Sequence, residues 1–181
     1  MLEKLLAYHC APALAGIKPA NIAACSKKQV KDIHGEISRL NSEMNLRGIY
    51  FEILCECEKR ALIMVYRYNK LESCIKESKV SEFLRNAGYP SEITVDGYIA
   101  HLKKRLEADG FPHEIGAFLG YPIRDIIGFI NHEECIFTGD WKVYGDAENA
   151  RKKFHVYNMC KCALFKRVAE GRTLAQLFCA S

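Results

Sequence analysis

The chain lacks an apolar run long enough to cross a membrane. A spanning helix needs about 18 uncharged apolar residues, and no such stretch occurs in its 181 positions. A signal peptide is missing too. Met1 to Gly16 begins apolar, but Glu3 precedes Lys4, and His9, Pro12 and Gly16 interrupt the run. A leader wants a basic start and then a clean apolar stretch. There is no internal repeat and no low-complexity segment. An even set of cysteines is also absent: the nine lie at 10, 25, 55, 57, 74, 135, 160, 162 and 179. At least one cannot pair within the chain. Several sit in apolar runs, where a free thiol behaves as a small hydrophobe. Without an export signal they read as reduced thiols of a cytoplasmic protein.

Familiar catalytic and metal signatures are equally missing. His113-Glu114 would begin the zincin spacing H-E-x-x-H, but position 117 is Ala117. The phosphate loop G-x-x-x-x-G-K-[ST] does not occur. C-x-x-C is absent, although two C-x-C pairs are present. Cys55 and Cys57 would share one strand face. Cys160 and Cys162 lie about 200° apart on a helix and cannot grip one ion together. Four thiol ligands therefore do not assemble locally, and no metal site is expected.

What remains is ordinary globular composition: 49% hydrophobic, 27% charged, net charge +4. That excludes disordered and collagen-like chains. The length suits one domain over 1–181, with a core that folds without disulfides or metals. Charge is uneven. Residues 144–181 carry seven basic and three acidic side chains, including Arg151-Lys152-Lys153 and Lys166-Arg167. A solvated helix face accounts for this better than a nucleic-acid surface, because no nucleic-acid module accompanies it.

Periodicity predicts a mixed chain. Met1–Tyr8 reads as a short helix and Cys10–Ile17 as an edge strand, since Pro12 bars it from a sheet interior. Lys27–Leu46 reads as a helix capped by Ser26, with Gly48 just beyond it. Ile49–Cys57 and Ala61–Tyr68 read as an antiparallel hairpin. The second strand is apolar on both faces, which makes it central. Helical patterns follow at Leu71–Glu77, Val80–Ala87, Val95–Ala108, Pro112–Leu119 and Pro122–Ile130. Glu134–Tyr144 reads as a further strand. Ala147–Ala169 is a long helix whose buried stripe is Ala150, Phe154, Tyr157, Leu164 and Val168. The fold class expected is α+β: a three- to four-stranded, mostly antiparallel sheet covered by helices, with a long C-terminal helix.

Four places could carry chemistry. His113 and Glu114 follow Pro112 into a helix start, where unpaired backbone N–H groups gather. There Glu114 is favoured as an anion and His113 as a neutral base or donor. The plainer alternative is that Glu114 serves the helix start and the nearby glycines allow close packing. Gly16-Ile17-Lys18-Pro19-Ala20-Asn21 resembles a small anion site if Pro19 opens a helix, with Lys18 and Asn21 as ligands; otherwise Lys18 is a solvated turn residue. Tyr66-Arg67 and Asp140-Trp141-Lys142-Val143-Tyr144 could line a cleft. Arg67 and Lys142 would bring charge, and Tyr66, Trp141 and Tyr144 flat walls, for an anionic or planar ligand. Alternatively Trp141 is core. Cys10 is a buried hydrophobe unless a distant base reaches it, because in an extended segment His9 points the other way.

Three runs go further: FPHEIGAFLGYPIRDIIGFI at 111–130, HCAPALAGIKPANI at 9–22 and GDWKVYGD at 139–146. Together they resemble a family of small proteins from anaerobic Gram-positive bacteria, carried only as a domain of unknown function. The resemblance covers nearly the whole chain. It implies a free-standing cytoplasmic single domain, and a loose association with iron and flavodoxin-type redox metabolism. It implies no activity, so no catalytic residue carries over, and no cofactor is indicated. The three runs coincide with three of the four places chosen on chemical grounds. They are therefore expected to build one shared site: a small-molecule binding or enzymatic domain with Lys18, Arg67, His113, Glu114 and Lys142 around an anionic ligand. The alternative is a non-enzymatic accessory protein serving a redox or metal-handling partner through the basic C-terminal helix.

Overall fold

A computed structural model describes residues 1–91, 94–108 and 111–178. Cys179 lies outside the described residues. The chain is α+β. Two short helices, α1 (Leu2–His9) and α2 (Ala11–Leu14), lead into strand β1 (Ala20–Ser26). Helix α3 (Ile33–Met44) and a 3-10 turn precede the hairpin β2 (Ile49–Glu56) and β3 (Arg60–Arg67). Five helices follow: α4 (Tyr68–Lys76), α5 (Ser78–Asn86), α6 (Val95–Glu107), α7 (Ile115–Phe118) and α8 (Ile123–Ile130). A two-stranded hairpin, β4 (Phe137–Thr138) and β5 (Lys142–Val143), leads to α9 (Ala147–Ala169) and α10 (Leu174–Phe178).

The main sheet is antiparallel in the order β1-β3-β2. Its central strand is the one that is apolar on both faces, as its pattern requires. Ala61, Ile63 and Val65 face α1, α3 and the C-terminal end of α9. Met64 and Tyr66 face α4 to α8. Each large side chain buried this way contributes about 2 kcal/mol. A smaller cluster of Trp141, Val143, Ala150 and Tyr157, with Phe137 and Phe154 against it, fastens the short hairpin to α9. Ala150, Phe154 and Tyr157 are the first part of the stripe expected for the long helix; Leu164 and Val168, the rest of it, pack in the main core.

Several local expectations are corrected. Cys10–Ile17 is not a strand but α2 and its exit turn; proline is compatible with a helix's first turn, where its missing N–H has no partner to lose. Pro19 opens no helix. It leads into β1, and its carbonyl accepts from Arg67 N at 3.0 Å, extending the ladder. The third helix starts at Ile33, not Lys27, and its cap is Asp32, whose carboxylate accepts from Gly35 N at 2.8 Å. A side chain at position 35 would meet that carboxylate, which explains the glycine. The long strand expected at Glu134–Tyr144 is two two-residue strands. Gly139 turns the chain between them with its Cα against the Phe154 ring. In β2 a bulge at Leu54 shifts the register, so Cys55 pairs with Leu62. Cys55 therefore leaves the face shared by Ile49, Phe51 and Ile53, and Cys57, whose N–H donates to Arg60 O at 2.8 Å, moves with it, so the two cysteines still share a face, now the opposite one.

Candidate functional site

One buried carboxylate organises the region after α6. Asp125, in the first turn of α8, is 3% exposed. It accepts from Trp141 Nε1 at 2.7 Å and from the backbone N–H groups of Tyr144 and Gly145, both at 2.8 Å. One turn later Gly128 makes room for the Tyr144 ring; a Cβ there would stand 2.5 Å from it. Gly120, with φ +71°, ends α7 in the left-handed conformation against the ring of Pro19. These contacts bring the three sequence runs together, as expected. They bring them together through packing and one clasp.

Two hollows result. The first, about 300 Å³, is lined mainly by rings: Phe111, His113, Tyr121, Phe129 and Trp141, with Lys142 at its edge. Tyr121 stacks on Trp141 at 4.9 Å between ring centres. The His113 ring stands edge-on to Phe129 at 5.1 Å, and Lys142 Nζ lies 5.4 Å from the centre of the Phe129 ring. Among the described residues, neither the His113 ring nor the Lys142 ammonium has a hydrogen bond or ion pair.

The second hollow, about 210 Å³, is lined by Lys18, His9, Asn21, Lys161, Tyr121 and Asp140 among others. Lys18 is 3% exposed. Its Nζ sits 4.8 Å from the centre of the Tyr121 ring and 5.3 Å from that of Tyr157. Burial pulls its pKa down from 10.5 to about 8; Asp140 and Cys10 oppose that shift, while Lys161 and Lys153 add to it. Lys161 is ion-paired with Asp140. Burial, then Lys161, lowers His9. Burial, then Asp140 and Tyr157, pushes the Tyr121 phenol up to about 12. Asn21 Oδ1 accepts from Ala13 N at 3.0 Å, which pins α2 beside the hollow. Tyr121 and Asp140 line both hollows.

A family model described as "Protein of unknown function (DUF3793)" matches residues 6–178. The chain belongs to that family. No curated protein and no solved structure matches it. The DUF3793 match spans both hollows, from Tyr8 to Lys161.

The other residues singled out in this DUF3793 chain fall elsewhere, so the single shared site is corrected. Lys18 and Asn21 line one hollow; His113, Trp141 and Lys142 line its neighbour. Arg67 is held at the end of β3, where its guanidinium donates to the carbonyls of Leu14 and Arg47 and ties α2 to the sheet. Tyr66 stacks on Tyr50 at 5.4 Å inside the core, and burial pushes its phenol up. Tyr144 contributes its backbone N–H to Asp125. Glu114 precedes the four-residue α7 but makes no side-chain cap; Arg105 Nε donates to it at 2.8 Å instead. Cys10 is fully buried, and burial pushes its thiol up, so it is the small hydrophobe foreseen. None of the eight described cysteines is in a disulfide. Among the described residues no group of three or more His, Cys, Asp or Glu could hold a metal ion. Sequence reading missed Tyr121, Tyr157 and Lys161 as site residues. Lys153, Tyr157 and Lys161 recur every four positions on α9, and that spacing was the available signal.

Proposed function

We propose that this chain binds a small planar anion in the ring-lined hollow. The observation that carries the reading is the convergence of Tyr121, Phe129 and Trp141 with His113 and Lys142 around one opening. Flat ring faces favour a planar body through burial and stacking. A lysine without an ion pair at the rim favours an anionic substituent. Asp125 and Asp140 are the acidic neighbours, and each is already engaged, by Trp141 and the Tyr144–Gly145 backbone and by Lys161. Trp141 is the sole tryptophan and lines this hollow, so its fluorescence is a direct probe of it. Nicotinate and flavin mononucleotide, titrated against their uncharged counterparts nicotinamide and riboflavin, test the reading. The charged member of each pair is expected to quench Trp141 at about 5–10-fold lower concentration, and Lys142→Met to remove that preference. Equal quenching by charged and uncharged members, or none by any, sinks it.

A second reading, as an accessory protein, has its own support. Along α9, Val156 and Met159 are exposed between Lys152 and Lys166, a basic and apolar outer face. Reversing the charge at Lys152 and Lys166 would abolish partner capture under this reading while leaving Trp141 quenching intact. No helix among the described residues is long and apolar enough to cross a membrane. Nine cysteines, with no disulfide among the eight described, support a reducing compartment such as the cytoplasm.

A further inference from the structure

The geometry points to a separate activity in the second hollow: Lys18 Nζ condenses with a small carbonyl compound that bears a negative charge, an aldehyde acid or a 2-oxo acid, to form an imine. Lysine ordinarily keeps its ammonium in water. Lys18 has little room to do so: it is 3% exposed, the rings of Tyr121 and Tyr157 flank it, and it lines the second hollow. Among the described residues, no carboxylate or carbonyl oxygen lies within hydrogen-bond distance of its Nζ. The nearest candidate counter-charge, Asp140, is taken by Lys161. An ammonium largely desolvated and without an ion pair is disfavoured against the neutral amine. A desolvated lysine beside a second cation is the arrangement that frees an amine lone pair for attack on a carbonyl. The lowered Lys18 pKa agrees with that geometry.

The rest of the hollow suits the step. Lys161 and Asn21 line the hollow and supply the donors a ligand carboxylate would need. His9 and the Tyr121 hydroxyl line the same space and can pass protons. The Nζ lone pair forms a bond to the carbonyl carbon, and the carbonyl oxygen takes a proton to give a carbinolamine. The nitrogen loses its proton, the C–O bond breaks, and the oxygen departs as water once protonated again. The products are the imine and one water, with no oxidant or reductant consumed. The charged and titratable groups around Nζ are Asp140, Lys161, Lys153, His9, Cys10, Tyr8, Tyr121 and Tyr157.

Reductive trapping tests this on the full chain. Glyoxylate with cyanoborohydride at pH 7 converts an imine into a stable carboxymethyl amine that peptide mass mapping locates. At pH 7 about one Lys18 amine in ten is neutral, against about one in three thousand for a lysine at 10.5. Lys18 is therefore expected to label at least about 10-fold faster than any other lysine, and urea unfolding to erase the difference. Asp140→Asn removes an anion that favours the ammonium and should speed labelling; Lys161→Met removes a like charge, frees Asp140 and should slow it. Both variants read Lys18 itself, so neither depends on the fate of a Lys18 substitution. Labelling spread evenly over surface lysines overturns the proposal. So does protection of an unlabelled Lys18 by acetate or phosphate, which would mean a plain anion site. Neither result touches Trp141 quenching, so the two hollows stand or fall separately.

Discussion

Asp125 and Lys18 are equally buried, each 3% exposed, one against Trp141 and the other against Tyr121, the two stacked rings. Their surroundings differ in one respect. Asp125 accepts three hydrogen bonds, from one indole and two backbone N–H groups. Lys18 donates none among the described residues. A buried charge with its partners in place can specify a structure; one without them costs stability and is kept for another reason. Burial alone therefore does not separate structure from function in this chain. Satisfaction of the buried group does.

The sharpest way to break the comparison is Asp125→Ala. It orphans three buried donors at about 1–2 kcal/mol each. A loss of about 3–6 kcal/mol is expected, a large part of a typical domain's stability. The midpoint of urea unfolding and the near-ultraviolet dichroism of Trp141 should both collapse. Asp125→Asn keeps one acceptor oxygen and should lose roughly half as much. If Asp125→Ala unfolds at the wild-type midpoint, the clasp is not what joins the three runs.

Lys18→Met should act in the opposite direction. At pH 7 it replaces an unpaired ammonium with an apolar chain of similar length, and stability should rise by about 1–3 kcal/mol. The pH dependence has a definite sign. The folded value, about 8, lies below the ordinary 10.5. Between them the unfolded chain holds a proton that the folded chain has shed, so Lys18 makes the wild type more stable as pH rises through that window and adds nothing to the slope below it. Tyrosines and cysteines titrate there too, and burial raises several of them. The difference between wild type and Lys18→Met cancels their share. That difference should shrink by up to about 3 kcal/mol between pH 7 and pH 10. A variant that is less stable at pH 7 would place Lys18 among the structural charges.

The ease of reading each element from sequence followed how local its cause is. The double apolar face of β3 and the five-residue stripe of α9 are properties of a single short segment each, and both were readable. Pro12 was ambiguous because proline suits an edge strand and a first helical turn alike. The bulge at Leu54 leaves no mark on composition, yet it moves Cys55 to the other face. The clasp was harder still. Nothing in the spacing says that the donors to Asp125 come from positions 141, 144 and 145. The same held for Glu114, whose Arg105 partner lies on another helix. Lys18 stood out by its neighbours in sequence, but the rings that flank it are supplied by positions 121 and 157. Long-range pairing decides which charged residues are spent on structure, and a single sequence does not print it.

Glu114 tests the comparison between its two extremes. It is 5% exposed, close to Asp125 and Lys18, but it has a single partner whose own side chain is half exposed. Water competes for Arg105, so the pair is worth far less than a fully enclosed one. Tyr89 stands beside it; burial first, and the Glu114 carboxylate second, push that phenol up, and among the described residues the hydroxyl has no hydrogen-bond partner. If Arg105 is removed, the Tyr89 hydroxyl is placed to donate to Glu114 and limit the loss. A double-mutant cycle with Glu114→Gln and Arg105→Met should therefore give a coupling of about 1 kcal/mol. Adding Tyr89→Phe should make Arg105→Met cost more. A coupling as large as the Asp125→Ala loss would mean that burial, rather than the number of partners, ranks the charges of this fold.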